Sequence, residues 1–226
     1  MGVAGIIVAA GRGTRAGGRV PKQYAMLSGE AVLAVSIKSF LNSNRIDYLL
    51  VVINEQDTKL YFDCTKKIND RRLLPYCLGG KERSDSVKNG LKALSNIQPQ
   101  KVLIHDAARP FVSVSLIESI IDELSKTDAV LPALPVFDAV WQIHKTKDNV
   151  KSIKPGPNRS ELLLAQTPQG FNYKAICHAH SEITESMLDD IGVAHQAKLK
   201  ISYIQGEETN FKITTSQQVT RVKRGY

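Results

Sequence analysis

Short, continuous apolar runs alternate along the chain with segments whose apolar residues recur at helical spacing. A strand that is covered on both faces of a sheet needs no polar side, so the continuous runs predict buried strands. They are VAGIIVAA (3–10), YLLVVI (48–53), LPYCL (74–78), KVLIHD (101–106), DAVLPALPV (128–136), ELLLAQTP (161–168) and KISYIQG (200–206). Helical periodicity lies between them at 31–42, 84–95 and 114–125, and Ser84 is the predicted cap of the second helix.

This alternation predicts an α/β fold with a doubly wound, mostly parallel sheet, because strand–helix–strand units connect parallel strands by right-handed crossovers. The chain has 226 residues, of which 42% are hydrophobic and 23% charged, enough for one domain over 1–226. Ligands of such sheets bind beyond the carboxyl ends of the strands. Candidate chemistry is therefore sought at that edge.

Residues 137–160 do not continue the alternation of strands and helices. Their apolar and polar residues alternate only weakly, and they contain several lysines and a Pro-Gly-Pro turn. They predict an extended arm that pairs with a second subunit, and an ordinary surface hairpin is the alternative. A short basic helix is predicted at the C-terminus.

The net charge of +8 indicates a surface that attracts anions. Nucleic acid is not the expected partner, because aromatic residues make up 6% of the chain and do not alternate with basic stretches. The three cysteines form no CxxC pair, and no apolar run is long enough for a membrane span. We expect a cytoplasmic protein without a membrane partner.

The first strand leads into IIVAAGRGTRAGGRVPKQY (6–24), a glycine-broken loop. It carries Arg12, Arg15, Arg19 and Lys22. A dinucleotide site would need an acidic strand end about 20 residues on, and a P-loop would need Lys-Ser or Lys-Thr; neither is present. A tight turn with incidental arginines is one explanation. The repulsion among these cations instead favours a loop wrapped around phosphates, with backbone N–H groups at Gly11 and Gly13 approaching the anion. We predict a nucleoside triphosphate site.

Two further loops meet the same edge of the predicted sheet. GGKERSDSVKNG (79–90) offers paired glycines for close backbone approach and hydroxyls at a helix start, although plain helix capping also explains Ser84. HDAARP (105–110) puts Asp106 at a strand end, where one carboxylate and triphosphate oxygens suffice for Mg²⁺. Arg109 could pair with a second phosphate, and His105 is expected to pack inside. A structural cap is the alternative for Asp106.

These pieces together resemble the 2-C-methyl-D-erythritol 4-phosphate cytidylyltransferases of the non-mevalonate isoprenoid pathway. The matching segments occur in order over nearly the whole chain: AAGRGTR, PKQY, GGKERSDSV, HDAARPFV, AQTPQGF and NFKIT. The resemblance implies a Rossmann-like domain, a homodimer formed through the arm, Mg²⁺, CTP and methylerythritol phosphate.

The resemblance also implies the nucleotide contacts. The triphosphate loop corresponds to Ala9, Ala10, Gly11 and Gly13. The cytidine contacts correspond to Gly80 and Ser86. Ala107 corresponds to a nucleotide contact beside Asp106, which is the implied metal ligand and a substrate contact.

Catalytic groups follow from the same resemblance. Arg15 and Lys22 correspond to cations that stabilise the transition state. Arg109, Arg159 and Lys212 correspond to groups that hold the second substrate, with Arg159 supplied across the dimer; taken alone, Arg159 and Lys212 would be solvated surface cations. Two positions that contact substrate depart from the family pattern, namely Ala139 and Leu188, each standing where threonine is usual.

The expected reaction is in-line attack by the substrate's phosphate on the α-phosphorus of CTP. A phosphomonoester with a second pKa of about 6 is largely dianionic at neutral pH, so no general base is required. A ribitol-5-phosphate cytidylyltransferase is the nearest alternative, and a nucleotide- or nucleic-acid-binding protein without catalysis is another.

Overall fold

A computed structural model of the chain describes residues 2–11, 20–145, 151–183 and 187–214. The strands in these residues are β1 (Val3–Ala9), β2 (Met26–Leu27), β3 (Glu30–Ala31), β4 (Tyr48–Ile53), β5 (Cys77–Leu78), β6 (Lys101–Asp106), β7 (Ala129–Pro135), β8 (Trp141–Lys145), β9 (Lys151–Pro155), β10 (Leu163–Ala165), β11 (Gln169–Asn172) and β12 (Ile201–Gln205).

The helices in the same residues are α1 (Val32–Leu41), α2 (Thr58–Thr65), α3 (Arg83–Ala93), α4 (Val114–Glu123), α5 (Tyr173–Glu182) and α6 (Asp190–Gln196). The predicted helices at 31–42, 84–95 and 114–125 are thus present with slightly shifted ends. In the part of the chain that is described, no helix combines the length and the apolarity that crossing a bilayer would need. The predicted C-terminal helix, in 215–226, lies outside the described residues.

Eight of the described strands build one sheet in the order β10-β7-β11-β6-β1-β4-β5, with β12 added to β7, and β2 pairs with β3 apart from it. Its centre is parallel, because β1 pairs in parallel with both β4 and β6, and β4 with β5. β11 enters between β6 and β7 antiparallel to both, while β12 runs parallel to β7. The predicted mostly parallel α/β sheet is confirmed.

Both faces of the sheet are buried, as the continuous apolar runs require. Along β1, Ile7 contributes to the core under α1 and α4, whereas Ile6 contributes to the core under α3 and α5. The same alternation along β4 puts Val51 on the first face and Val52 on the second. Because side chains alternate along a strand, Asp106 at the end of β6 faces α3 and α6.

The predicted strand at 161–168 is wrong in its extent. It is divided into a 3₁₀ turn at Arg159–Glu161, the short β10, and then β11, which pairs with β6 and β7. Pro168 separates the two strands and has no N–H to donate to a ladder. The predicted strand at 74–78 likewise shrinks to β5, which follows Pro75.

Residues 141–155 include a two-stranded ribbon of their own, β8 paired antiparallel with β9. Its register sets Ile143 opposite Ile153, and both side chains are exposed, at 72% and 63%. A two-stranded ribbon is marginally stable alone in water. The ribbon lies within the predicted arm, and both its pairing with a second subunit and the alternative of an ordinary surface hairpin stay predictions.

His105 lies in the core beside Phe40, with 5.1 Å between ring centroids, as the sequence predicts for a packing histidine. Its Nε2 donates to the carbonyl of Arg109 at 2.9 Å, and its Nδ1 lies 3.1 Å from the hydroxyl of Thr167. That hydroxyl accepts from the N–H of Asp106, so its own proton points to the ring. Burial lowers the pKa of His105 to about 4, and the ring is neutral.

We expect the free energy of unfolding to fall as the pH drops from 6.5, the ordinary histidine pKa, towards 4. In that window the unfolded chain binds a proton that the folded ring does not, so the loss approaches about 3 kcal/mol. Above pH 6.5 the contribution is complete. Urea denaturation at a series of pH values measures this slope. His105→Asn should flatten it, and His195→Asn, a change at an exposed histidine, should not. An unchanged slope in His105→Asn would contradict the assignment.

Candidate active site

A cleft of about 470 Å³ opens where β1, β4 and β6 end. Its described lining residues come from widely separated segments: Val8, Ala9, Ala10, Gly11, Lys22, Gln23, Asn54, Gly80, Lys81, Glu82, Arg83, Ser86, Asp106, Ala107, Ala108 and Lys212. The predicted nucleotide contacts among the described residues all lie there. Gly13 and Arg15 lie outside the described residues.

Asp106 is held between two cations. Lys212 Nζ lies 2.6 Å from its Oδ2, and Arg83 Nε lies 3.2 Å from its Oδ1. Burial alone would raise the pKa of Asp106, but the charges of Arg83 and Lys212 outweigh it and hold the pKa well below the usual range. The carboxylate is therefore ionised at any pH near neutrality, in the state that attracts a metal ion.

Arg83 connects Asp106 to a second, deeper carboxylate. Its Nη1 lies 2.8 Å from Oδ2 of Asp190, a side chain only 1% exposed at the start of α6. Oδ1 of Asp190 lies 3.2 Å from Nε2 of His180 on α5. Burial would lower the pKa of Arg83, and its two carboxylate partners raise it instead. A guanidinium with this fixed fork orients the carboxylate that it binds.

The sequence patterns predict no role for Arg83 or Asp190, although both lie in conspicuous segments. Arg83 belongs to the GGKERSDSV segment, and Asp190 is the second acidic residue after Leu188. A signal was available: an arginine at the first position of a helix that faces an acidic strand end. Leu188 itself is fully exposed, and neither it nor Ala139 lines the cleft.

The structure places Arg109 beside the cleft, where it supports the loop that carries Lys212. Its Nη1 donates to the carbonyl of Asn210 at 2.7 Å, and its Nη2 to the carbonyl of Ala165 at 3.3 Å. Ile213 N–H donates to the carbonyl of Ala108 at 2.8 Å, which closes the same loop onto the end of β6. Lys212 reaches Asp106 because both of its flanks are fixed.

Arg159 is not in the cleft of this chain. It lies on an exposed 3₁₀ turn at the base of the β8–β9 ribbon, and its Nη1 donates to the carbonyl of Phe137. Its predicted role therefore requires a second chain.

Packing alone already requires glycine at positions 79 and 80, and the predicted ligand contact at Gly80 stays a prediction. A Cβ on Gly79 would lie 2.4 Å from the Cβ of Ala10, and one on Gly80 would lie 2.2 Å from the Cβ of Asp85. The predicted Ser84 cap is wrong: α3 begins at Arg83, and the N–H of Glu82 donates to Oδ2 of Asp85 at 3.0 Å. A carboxylate at the third helical position closes a capping box in this way.

The donor set fits a metal ion that is shared with a ligand. In the described part of the chain, no three His, Cys, Asp or Glu side chains cluster as a metal cage. Each oxygen of Asp106 is engaged by one cation and, with two lone pairs, keeps a further acceptor position. Mg²⁺ commonly takes one or two carboxylates and completes its shell with phosphates and water. Asp106 suits that mode.

The sequence profile of the 2-C-methyl-D-erythritol 4-phosphate cytidylyltransferase family (IspD) matches residues 3–223. The bifunctional enzyme IspD/IspF of Wolbachia pipientis is 37% identical over 223 residues, which cover 98% of this chain and 55% of that protein. The bifunctional enzyme IspD/IspF of Ruegeria pomeroyi is 39% identical, with 99% and 56% covered. The chain spans about half the length of these curated relatives.

A solved structure agrees with this match. The crystal structure of 4-diphosphocytidyl-2C-methyl-D-erythritol synthase from Anaerococcus prevotii superimposes with a TM-score of 0.83 at 28% identity. The superposition covers 99% of this chain and 95% of that one. A profile match over nearly every residue, supported by the fold, shows that the chain belongs to the 2-C-methyl-D-erythritol 4-phosphate cytidylyltransferase family.

Proposed function

We propose that this chain transfers the cytidylyl group of CTP to the phosphate of 2-C-methyl-D-erythritol 4-phosphate and releases pyrophosphate. The cleft carries this proposal. Segments from Ala9 to Lys212 meet in it, and they put an ionised carboxylate and several cations at the edge where α/β sheets bind ligands. Family membership supports 2-C-methyl-D-erythritol 4-phosphate as the acceptor and a cytidylyl group as the group transferred.

The main obstacle to this reaction is electrostatic, because a phosphomonoester and a triphosphate repel each other. A phosphate oxygen attacks the α-phosphorus, and the bond from that phosphorus to the pyrophosphate oxygen breaks. Lys22 and Lys212 line the cleft and would stabilise the charge that develops there, together with Arg15 from the first loop. A nucleophile that is already anionic needs no general base, so the catalytic requirement on the cleft is positive charge, which its described lining supplies from Lys22, Lys81, Arg83 and Lys212.

Enzymes of this family depend on a divalent cation. We assign Mg²⁺ to Asp106, where it would be shared with the triphosphate. When bound, it supplies charge that stabilises the leaving pyrophosphate. Arg83 and Lys212 keep the Asp106 carboxylate ionised and oriented for this role.

For the nucleotide, we assign the triphosphate to the loop that contains Ala9, Ala10, Gly11 and Gly13. The cytidine would lie against Gly80, Ser86 and Ala107. The hydroxyl of Ser86 already accepts from Gly80 N–H at 3.1 Å and lies 3.0 Å from the carbonyl of Glu82. Ser86 would therefore shape the base pocket through the backbone that it fixes.

For the second substrate, we assign its phosphate to Lys212 and to Arg159 from a neighbouring chain. Asp106 would contact the same substrate, and Arg109 would act through the Lys212 loop that it holds. We further propose that 1–226 forms one nucleotidyltransferase domain with an arm at 137–160. The thiols Cys64, Cys77 and Cys177 are unpaired by disulfides, which supports a reducing cytoplasmic setting.

A homodimer through the arm is supported by one apolar face of the ribbon. Alternation along β8 and β9 places Trp141, Ile143, Ile153 and Pro155 on the same face. Trp141 is 56% exposed and Ile143 is 72% exposed. Phe137, just before the ribbon, is 72% exposed. Water-exposed apolar groups in such a continuous patch mark an interface.

The function is tested by pyrophosphate release from CTP and Mg²⁺ in the presence of each candidate acceptor. We expect release with 2-C-methyl-D-erythritol 4-phosphate, at a kcat/KM far above that with ribitol 5-phosphate. A preference for ribitol 5-phosphate would replace the proposed acceptor. Binding of CTP without release for either acceptor would indicate a nucleotide-binding protein without catalysis.

Lys22→Ala should lower kcat by at least about a hundredfold, the scale of losing one preorganised donor to transition-state charge. Lys92→Ala removes an exposed lysine from α3, outside the cleft, and should retain wild-type kcat. Both variants should unfold at the same temperature as the wild type. A Lys22→Ala enzyme with near-normal kcat would refute the catalytic role.

The arm is tested by placing charge on its apolar face. The double variant Ile143→Glu, Ile153→Glu should sediment as a monomer, because two buried like charges would face the partner's apolar surface. The matched double variant Gln142→Glu, Ser152→Glu charges the opposite face and should stay dimeric. Equal sedimentation of the two variants would contradict the interface.

A further inference from the structure

Gln23 lies directly behind the start of the phosphate loop. It belongs to a 3₁₀ turn, Lys22–Tyr24, and its side chain is almost fully buried, with 3% of the residue exposed. Its Nε2 donates to the carbonyl of Ala9 at 2.7 Å and to the carbonyl of Gly11 at 2.9 Å. The single amide nitrogen thus spans the first turn of the loop.

These two carbonyls stand at the point where β1 stops pairing. The register of β1 with β4 ends at Ala9, and the chain beyond it has left the ladder. A buried carbonyl such as that of Ala9 destabilises the fold when no donor reaches it. The amide of Gln23 has two N–H groups, one for each carbonyl, so its donors match the two acceptors that the strand end leaves.

The engaged carbonyls also matter to a polyanion in the cleft. A carbonyl oxygen repels phosphate oxygens, whereas a backbone N–H attracts them. Because the Gln23 amide donates to the carbonyl oxygens of Ala9 and Gly11, these partly negative oxygens are held by a protein hydrogen bond. The same arrangement recurs on the neighbouring strand, where the buried Ser36 hydroxyl lies 3.0 Å from the carbonyl of Ala107.

The space in front of Gly11 is open among the described residues. A Cβ built on Gly11 would meet no other atom within 4 Å among the described residues. Gly79 and Gly80, by contrast, are forced to be glycine by neighbouring atoms. Packing in the described part of the chain therefore gives no reason for glycine at 11, whereas close approach of a ligand does.

We propose that Gln23 is a positioning residue for the nucleotide: its amide fixes Ala9 to Gly11, the described start of the phosphate loop, in the conformation that receives the triphosphate, and it keeps Lys22 at a set distance from these residues. The inference rests on the proposed nucleotide site. Lys22 adjoins Gln23 in the same turn, and Ala25 N–H donates to the carbonyl of Lys22 at 3.2 Å. A shift of the loop relative to Gln23 would therefore also change the distance between the loop and the Lys22 ammonium.

Gln23→Met keeps the size of the side chain and removes both donors. We expect the dissociation constants of CTP and of inorganic tripolyphosphate, measured by calorimetry with Mg²⁺, to rise at least about tenfold, as for loss of roughly one hydrogen bond's free energy. Gln23→Asn keeps the amide on a shorter side chain that cannot reach both carbonyls. Its dissociation constants for CTP and tripolyphosphate should lie between those of the wild type and of Gln23→Met.

Tyr173→Phe is the matched control. It removes another buried bond to a backbone carbonyl, from the tyrosine hydroxyl to Leu91 at 2.8 Å, and neither residue lines the cleft. It should lower the thermal midpoint by a similar amount and leave both dissociation constants within about twofold of wild type. This comparison separates a positioning role from simple loss of stability.

Two results would overturn the inference: wild-type affinity for tripolyphosphate in Gln23→Met, or equal weakening in Tyr173→Phe. If Gln23→Met does not fold, Gln23→Asn decides by the same criterion. Binding is measured without the second substrate, so failure of the Gln23 proposal can be told apart from failure of the proposed transfer reaction. A wild-type protein that binds CTP but releases no pyrophosphate refutes the function alone, and one that binds neither ligand refutes both.

Discussion

The ionised carboxylate of Asp106, held between Lys212 and Arg83, is the interaction around which the cleft is built. A carboxylate at the buried end of a central strand is expensive to desolvate, and its charge persists because two cations approach its two oxygens separately. Each cation is positioned by contacts of its own: Arg83 by Asp190 and His180 beneath it, Lys212 by a loop fixed to Arg109 and Ala108. The charge pattern of the cleft is thus supported by the surrounding fold.

That dependence explains why residues far apart in sequence form one site. The parallel strands β1, β4 and β6 end at the same edge, so the loops that follow them converge. The antiparallel β11 then packs against β6 and leads into α5, which carries His180. Buried side chains such as Gln23 and Ser36 bind backbone carbonyls beside the cleft, which leaves its interior suited to anions.

Much of this arrangement could be predicted from the sequence, and the exceptions share a cause. Continuous apolar runs located β1, β4 and β6, and the strand end located Asp106, because both signals are local. The pairing of Arg83 with Asp190 was missed because it joins positions more than 100 residues apart through α6. The assignment of Arg109 to a phosphate stays a prediction, but local patterns did not reveal that its guanidinium also binds the carbonyls of Asn210 and of Ala165 at the end of β10. The segment 161–168 is divided because β10 pairs with β7 alone, whereas β11, which follows it, pairs with both β6 and β7. A local sequence pattern does not show which strands a segment will pair with.

The central claim is that Asp106 and the first loop together receive a metal-bound triphosphate. An anomalous difference map from crystals soaked with Mn²⁺ and CTP tests it most directly. The account predicts a manganese peak in contact with the Asp106 carboxylate and phosphate density against Ala9, Ala10 and Gly11. Manganese and nucleotide bound together elsewhere, for instance in the groove between α3 and α5 lined by Leu91 and Cys177, would contradict it.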